Sequence, residues 1–125
     1  MTTLSPQLLA LGRVLLSIIF IVAGAQKLFN YAGSQQYMES AGLPGTLLPA
    51  VIALELGGGL AILAGFMTRW VALALAGFTL AAAVLFHIDF GDQIQNIMLM
   101  KNLAIAGGFL VLAAAGPGAF AIDKA

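Results

Sequence analysis

Apolar residues fall into four nearly uninterrupted stretches, from about Gln7 to Phe29, Leu47 to Phe66, Trp70 to Phe90 and Asn96 to Ala115. Each holds about the 20 residues that an α-helix needs to cross a hydrocarbon core of about 30 Å. The pattern predicts an all-α integral membrane four-helix bundle, antiparallel, occupying residues 1–125 as a single four-span domain. Only Met67, Thr68 and Arg69 separate the second and third stretches, so those two helices are expected to pack as neighbours. The first connection is longer. Tyr31, Gly33, Tyr37, Met38 and Glu39, followed by Gly42 and Pro44, suit a short interfacial helix that ends at a glycine with proline beyond it, although an irregular loop fits the same residues.

Two finer patterns change the picture. Ala53, Gly57, Ala61 and Gly65 recur every four residues in the second stretch, a ladder of small side chains expected to let another helix, or a second copy of the chain, approach closely. Gly12 and Gly24 in the first stretch and Gly107 and Gly108 in the fourth carry the same suggestion more weakly. Arg13 followed by an apolar run and Ala23-Gly24-Ala25 imitates a cleavable signal peptide. Apolar residues already begin at Leu8 and the pattern continues into Lys27, so an uncleaved first span is expected.

Composition narrows the function. Of 125 residues 62% are hydrophobic and 8% charged, too few charges to cover a water-exposed surface. Four spans and short loops use nearly the whole length and leave no room for a soluble catalytic domain. Five basic residues balance five acidic ones, with no basic stripe for a phosphate backbone, so nucleic acid is excluded as a partner and the lipid bilayer is the expected one. Cysteine is absent, which removes disulfides, thiolate metal sites and thiol exchange. Arg13, Arg69 and Lys124 fall on one side of the four-span scheme and Glu39, Asp89 and Asp92 on the other, placing both termini in the cytoplasm. Lys27 and Lys101 oppose that assignment weakly.

Gly12-Arg13, Gly24 through Lys27, the run ELGGGLAILAGFMTRW from Glu55 to Trp70, His87, Lys101-Asn102, Gly107-Gly108 and the closing GPGAFAID together form a recognisable order. The chain resembles the DoxX family, and within it the small inner membrane proteins of bacteria. The resemblance implies a four-helix membrane bundle in the bacterial inner membrane. It also implies an association with redox metabolism, since members are linked to thiosulfate oxidation with quinone reduction and to redox defence. Quinone is then the candidate cofactor, and other membrane or redox proteins are candidate partners. With one His and no Cys, no haem ligand pair or metal cluster can be assembled, and no metal site is expected.

An ionisable side chain at bilayer depth costs about 2.5 to 3.5 kcal/mol and needs a partner, water or a route to the interface. Arg13 lies about 9 Å inside its span, from where it can snorkel to headgroups, while the resemblance implies that it binds an anion or a ligand carbonyl. Lys27, near the outer end of its span, reads as an interfacial anchor or as part of a polar mouth. His87 reads as a backbone-bonded side chain or a proton carrier. Asn102 can bond a neighbouring helix or a ligand. Glu55, about 13 Å below the outer boundary, and Lys101, about 8 Å below it, are expected to form a buried ion pair, with Arg13 the next candidate partner. Glu55, Lys101, Asn102, His87, Lys27 and Arg13 thus make up the expected polar pocket. Met67, Met98, Met100, Phe66, Phe86, Phe90 and Trp70 could line it for a planar apolar ligand, or simply pack or face lipid. The same acid and base residues would serve a small-solute, proton or lipid carrier, and a structural subunit of a larger complex fits the composition too.

Overall fold

The computed structural model describes residues 5–86 and 91–123, with Phe86 by its backbone alone. His87, Asp89, Phe90, Lys124 and the Phe86 side chain, named above, lie outside what is described. The described residues are helical: α1 (Ser5–Phe29), α2 (Tyr31–Ser40), α3 (Gly45–Ala64), α4 (Thr68–Phe86) and α5 (Gln93–Ala115). Helices α1, α3, α4 and α5 are long and apolar enough to cross a membrane. Their outward faces carry residues such as Leu11, Leu15, Leu73, Leu103 and Val111, which only a lipid surround would keep out of water.

Helix ends follow the local chemistry. Asp92 caps α5, its carboxylate accepting from the Ile94 and Gln95 amides at 2.9 and 3.5 Å. The short helix expected after the first span exists as α2, and it stops where Gly42 takes φ +86° and the Leu43 amide reaches back to the Met38 carbonyl at 3.0 Å. Gly65, at φ +70°, ends α3 and turns the chain within three residues into α4.

Helix α3 is not uniform. It opens with a tight turn at Gly45–Leu47, continues as an α-helix over Leu48–Ile52, widens into a π segment over Ala53–Gly57 and returns to α geometry at Gly58–Ala64. A π turn inserts a residue into the hydrogen-bond ladder. Small residues four apart on either side of it therefore no longer stack, and the ladder expected from Ala53 to Gly65 is broken. Ala53 is exposed, and a Cβ at Gly57 would meet nothing within 4 Å. Close approach comes from other glycines. A Cβ at Gly24 would lie 2.8 Å from the Leu56 backbone nitrogen, and one at Gly59 would lie 3.0 Å from that of Ile21. Helices α1 and α3 are thereby pressed together, and α4 packs chiefly on α5.

The core joins these pairs. Phe20 of α1 meets Phe109 of α5 edge to face, with centroids 5.4 Å apart, among Ile62, Leu75, Ala76 and Leu112. A smaller cluster of Met38, Leu48 and Ile52 seats α2 on the opening of α3.

After α5 the chain folds back over one end of the molecule. Arg13, almost wholly buried, donates from Nη1 to the carbonyls of Pro117 (2.6 Å) and Ala119 (3.1 Å) and from Nη2 to that of Phe120 (2.8 Å). The Ala119 amide bonds the Pro6 carbonyl, and the Ile122 and Asp123 amides bond those of Ala64 and Gly65. Asp123 then accepts from the Met67 and Thr68 amides at 2.8 and 2.7 Å, capping α4 from the far end of the sequence. Arg13 neither snorkels nor reaches Glu55.

Candidate functional site

Away from the tail, residues of α1 to α5 line a half-open cavity of about 1000 Å³. Its lining is mostly aliphatic and aromatic, including Phe20, Leu47, Val51, Phe78, Leu85 and Ile105. Into this apolar surface project Lys27, Glu55, Lys101 and Asn102, so four of the six expected pocket residues share one cavity. Arg13 lies with the tail instead and is not among the lining residues.

The ion pair differs from expectation. Lys27 Nζ stands 2.8 Å from Glu55 Oε1, the lysine side chain about a third exposed and the glutamate 6% exposed. Lys101 is not Glu55's partner; it occupies another wall of the cavity, on α5. Depth along straight helices suggested Lys101, but helix approach decided the matter. The tight seam at Gly24 and Gly59 brings the end of α1 against the π segment, and the lysine stem reaches across. Glu55 Oε1 makes no aligned hydrogen bond, so the contact is a charge pairing that leaves acceptor capacity on the carboxylate. Placement in a π segment matters as well, since such segments recur at functional sites.

Asn102 is buried and donates from Nδ2 to the Thr79 carbonyl at 3.3 Å. Thr79 returns its hydroxyl to the Leu75 carbonyl at 2.7 Å. Asn102 therefore ties α5 to α4, resolving the choice between helix and ligand in favour of the helix for that proton. Of the expected Met and aromatic lining, Met98 faces the cavity. Phe66, Met67 and Trp70 sit beside the tail at the start of α4, and Met100 is exposed.

Sequence reasoning missed Gln26, Asn30, Ser34 and Tyr37, which line the cavity from the end of α1 and from α2. The signal was present. A helix carrying Ser34, Gln35 and Gln36 between two membrane spans offers polar side chains at the depth where Lys27 emerges.

A family model for DoxX matches residues 8–88. The chain belongs to the DoxX family. Inner membrane protein YqjF of Escherichia coli (strain K12) is 58% identical over 113 residues, covering 90% of this chain and 87% of the relative. Inner membrane protein YphA of the same organism is 39% identical over 126 residues, covering 95% and 90%. A protein of Bacillus subtilis (strain 168) named "Putative oxidoreductase CatD" is 37% identical over 73 residues, covering 58% of this chain and 54% of the relative. No solved structure matches. With four membrane-length helices and inner membrane relatives, this DoxX protein is a multi-pass protein of the bacterial inner membrane.

Proposed function

We propose that the protein is a membrane component of a redox system, quinone-linked or serving an oxidoreductase, that holds quinone or another small apolar ligand in the cavity between its helices. The observation that carries this reading is the Lys27–Glu55 pair, its carboxylate buried, on the wall of a mostly apolar cavity of about 1000 Å³. Burying an ion pair rarely stabilises a fold as much as an apolar replacement would, so its retention points to use. A cavity of this size and lining, with a few convergent polar groups, is the usual form of a small-molecule site. A relative named as an oxidoreductase supports the redox part.

In this proposal the chain is one four-span antiparallel domain. Both termini lie in the cytoplasm with Arg13 and Arg69, and the cavity lies towards the outer face. Lys27, Glu55 and Lys101 provide the polar contacts, Asn102 holds the wall, and Arg13 acts as a structural clamp. The Ala53 and Gly57 side of α3 is left for a second copy or a partner membrane protein.

A carrier of protons or small solutes would use the same pair, and the acceptor capacity left on the buried Glu55 carboxylate favours that second reading. The cavity, however, is lined by no residue of the Arg13-bound tail, which covers the other end. Protein purified from its native membrane should yield an organic extract with quinone absorption that shifts on chemical reduction. Quinone no more abundant than in an unrelated membrane protein purified identically would contradict the redox reading, and flux through proteoliposomes would then establish the carrier.

A further inference from the structure

The charges on the described cavity wall do not balance. Lys27, Glu55 and Lys101 are the lysine and carboxylate side chains among its described lining residues. Lys27 and Glu55 cancel each other at 2.8 Å. Among the described residues no carboxylate pairs with Lys101, so its ammonium is the uncompensated charge of the described wall. Nor does it lie at the end of its helix. From Gln93 to Lys101 is eight residues, about 12 Å along α5. Lys101 is exposed on the open side of the cavity, and an ammonium that far along a membrane-length helix requires a counter-charge or a way to water.

Its surroundings say what the counter-charge is attached to. On the same side of the cavity Phe78, Leu85, Met98 and Ile105 present apolar surface from α4 and α5. Asn102, next in sequence, has committed its amide to the Thr79 carbonyl and keeps the two helices in register behind that surface. Lys27 already has a counter-charge in Glu55. We propose that the Lys101 side of the cavity takes an amphipathic anion, an apolar chain or ring system ending in one carboxylate or phosphate whose charge is met by the Lys101 ammonium. A fatty carboxylate and an anionic lipid headgroup share this chemistry. The inference rests on the cavity being a ligand site and is independent of the redox role.

The full chain, purified in an uncharged detergent at pH 8.5, is titrated with cis-parinaric acid and with its methyl ester, followed by probe fluorescence. Loss of a charge-assisted contact is expected to cost about tenfold in affinity, so wild type should bind the acid about tenfold tighter than the ester. Lys101→Met should bind both probes alike, at the affinity of the ester, and Lys101→Arg should restore the preference. Retained ester binding shows that the Lys101→Met cavity is folded. Displacement of the bound acid by phosphatidylglycerol more readily than by oleate identifies a lipid headgroup as the source, and the reverse order identifies a free carboxylate. Equal binding of acid and ester by wild type, or an undiminished preference in Lys101→Met, overturns the proposal while leaving the cavity a ligand site. Failure of both probes to bind wild type overturns both readings.

Discussion

A side chain at Gly24 would press on the backbone of Leu56 and one at Gly59 on that of Ile21, whereas one at Gly57 would meet open space. Overpacking a close seam typically costs about 1 to 3 kcal/mol. Gly24→Ala and Gly59→Ala should therefore each lower the thermal midpoint in detergent, while Gly57→Ala should leave it unchanged or raise it slightly, as expected for a helical glycine with space. Equal loss at all three positions would show that the seam runs elsewhere. Spacing alone could not separate these glycines. The ladder from Ala53 to Gly65 is visible in the sequence, but the π segment that breaks it leaves no mark there, because its residues are ordinary helix formers apart from Gly57. Gly24 did signal close approach. The partner of Glu55 was misassigned to Lys101 because depth takes no account of which helix lies nearest.

Helix α4 begins without a capping side chain of its own from the three-residue turn and takes one from Asp123. The Asp123 carboxyl is held below its ordinary value, first by the Thr68 amide, then also by the Met67 amide and the nearby charge of Arg13. A depressed carboxyl favours the native state above the unfolded value near 4 and loses that contribution as pH falls through and below it. Asp123→Asn, which keeps one acceptor oxygen for two amides, should thus lower stability at pH 7, with the gap from wild type narrowing as pH falls below the ordinary carboxyl value. A pH-independent gap would mean that the carboxylate charge plays no part. Arg13→Met should free the tail amides of Ala119, Ile122 and Asp123 to hydrogen exchange, since three carbonyls lose their donor together. Unchanged protection would show that the backbone bonds suffice. At this scale the long helices were legible, their apolar runs being continuous. The tail was not, since GPGAFAID announces turns through Gly116, Pro117 and Gly118 but not which buried cation they enclose.

For the molecule as a whole, the arrangement gathers Arg13, Arg69 and the tail at one end and the cavity with Lys27 and Glu55 towards the other. Reporter fusions after Ala125 and within Met67 to Arg69 should read cytoplasmic and those near Gly33 and Gly91 external; a cytoplasmic signal near Gly91 would overturn the proposed topology. That polar side chains would share a pocket was readable from their depth, which requires partners for charges in lipid. The pairing inside it depended on packing that only the folded chain displays. The central claim, that the Lys27–Glu55 pair serves a ligand rather than the fold, is tested by a double-mutant cycle read for both stability and binding. Lys27→Met strands a carboxylate that is 6% exposed and should cost about 3 to 5 kcal/mol. Glu55→Gln leaves an ammonium about a third exposed, which can reach water, and should cost less. The account predicts that the double variant recovers most of the lost stability yet fails to retain the quinone or other apolar ligand that copurifies with wild type. A double variant that recovers stability and still copurifies with the same ligand in full amount would contradict it.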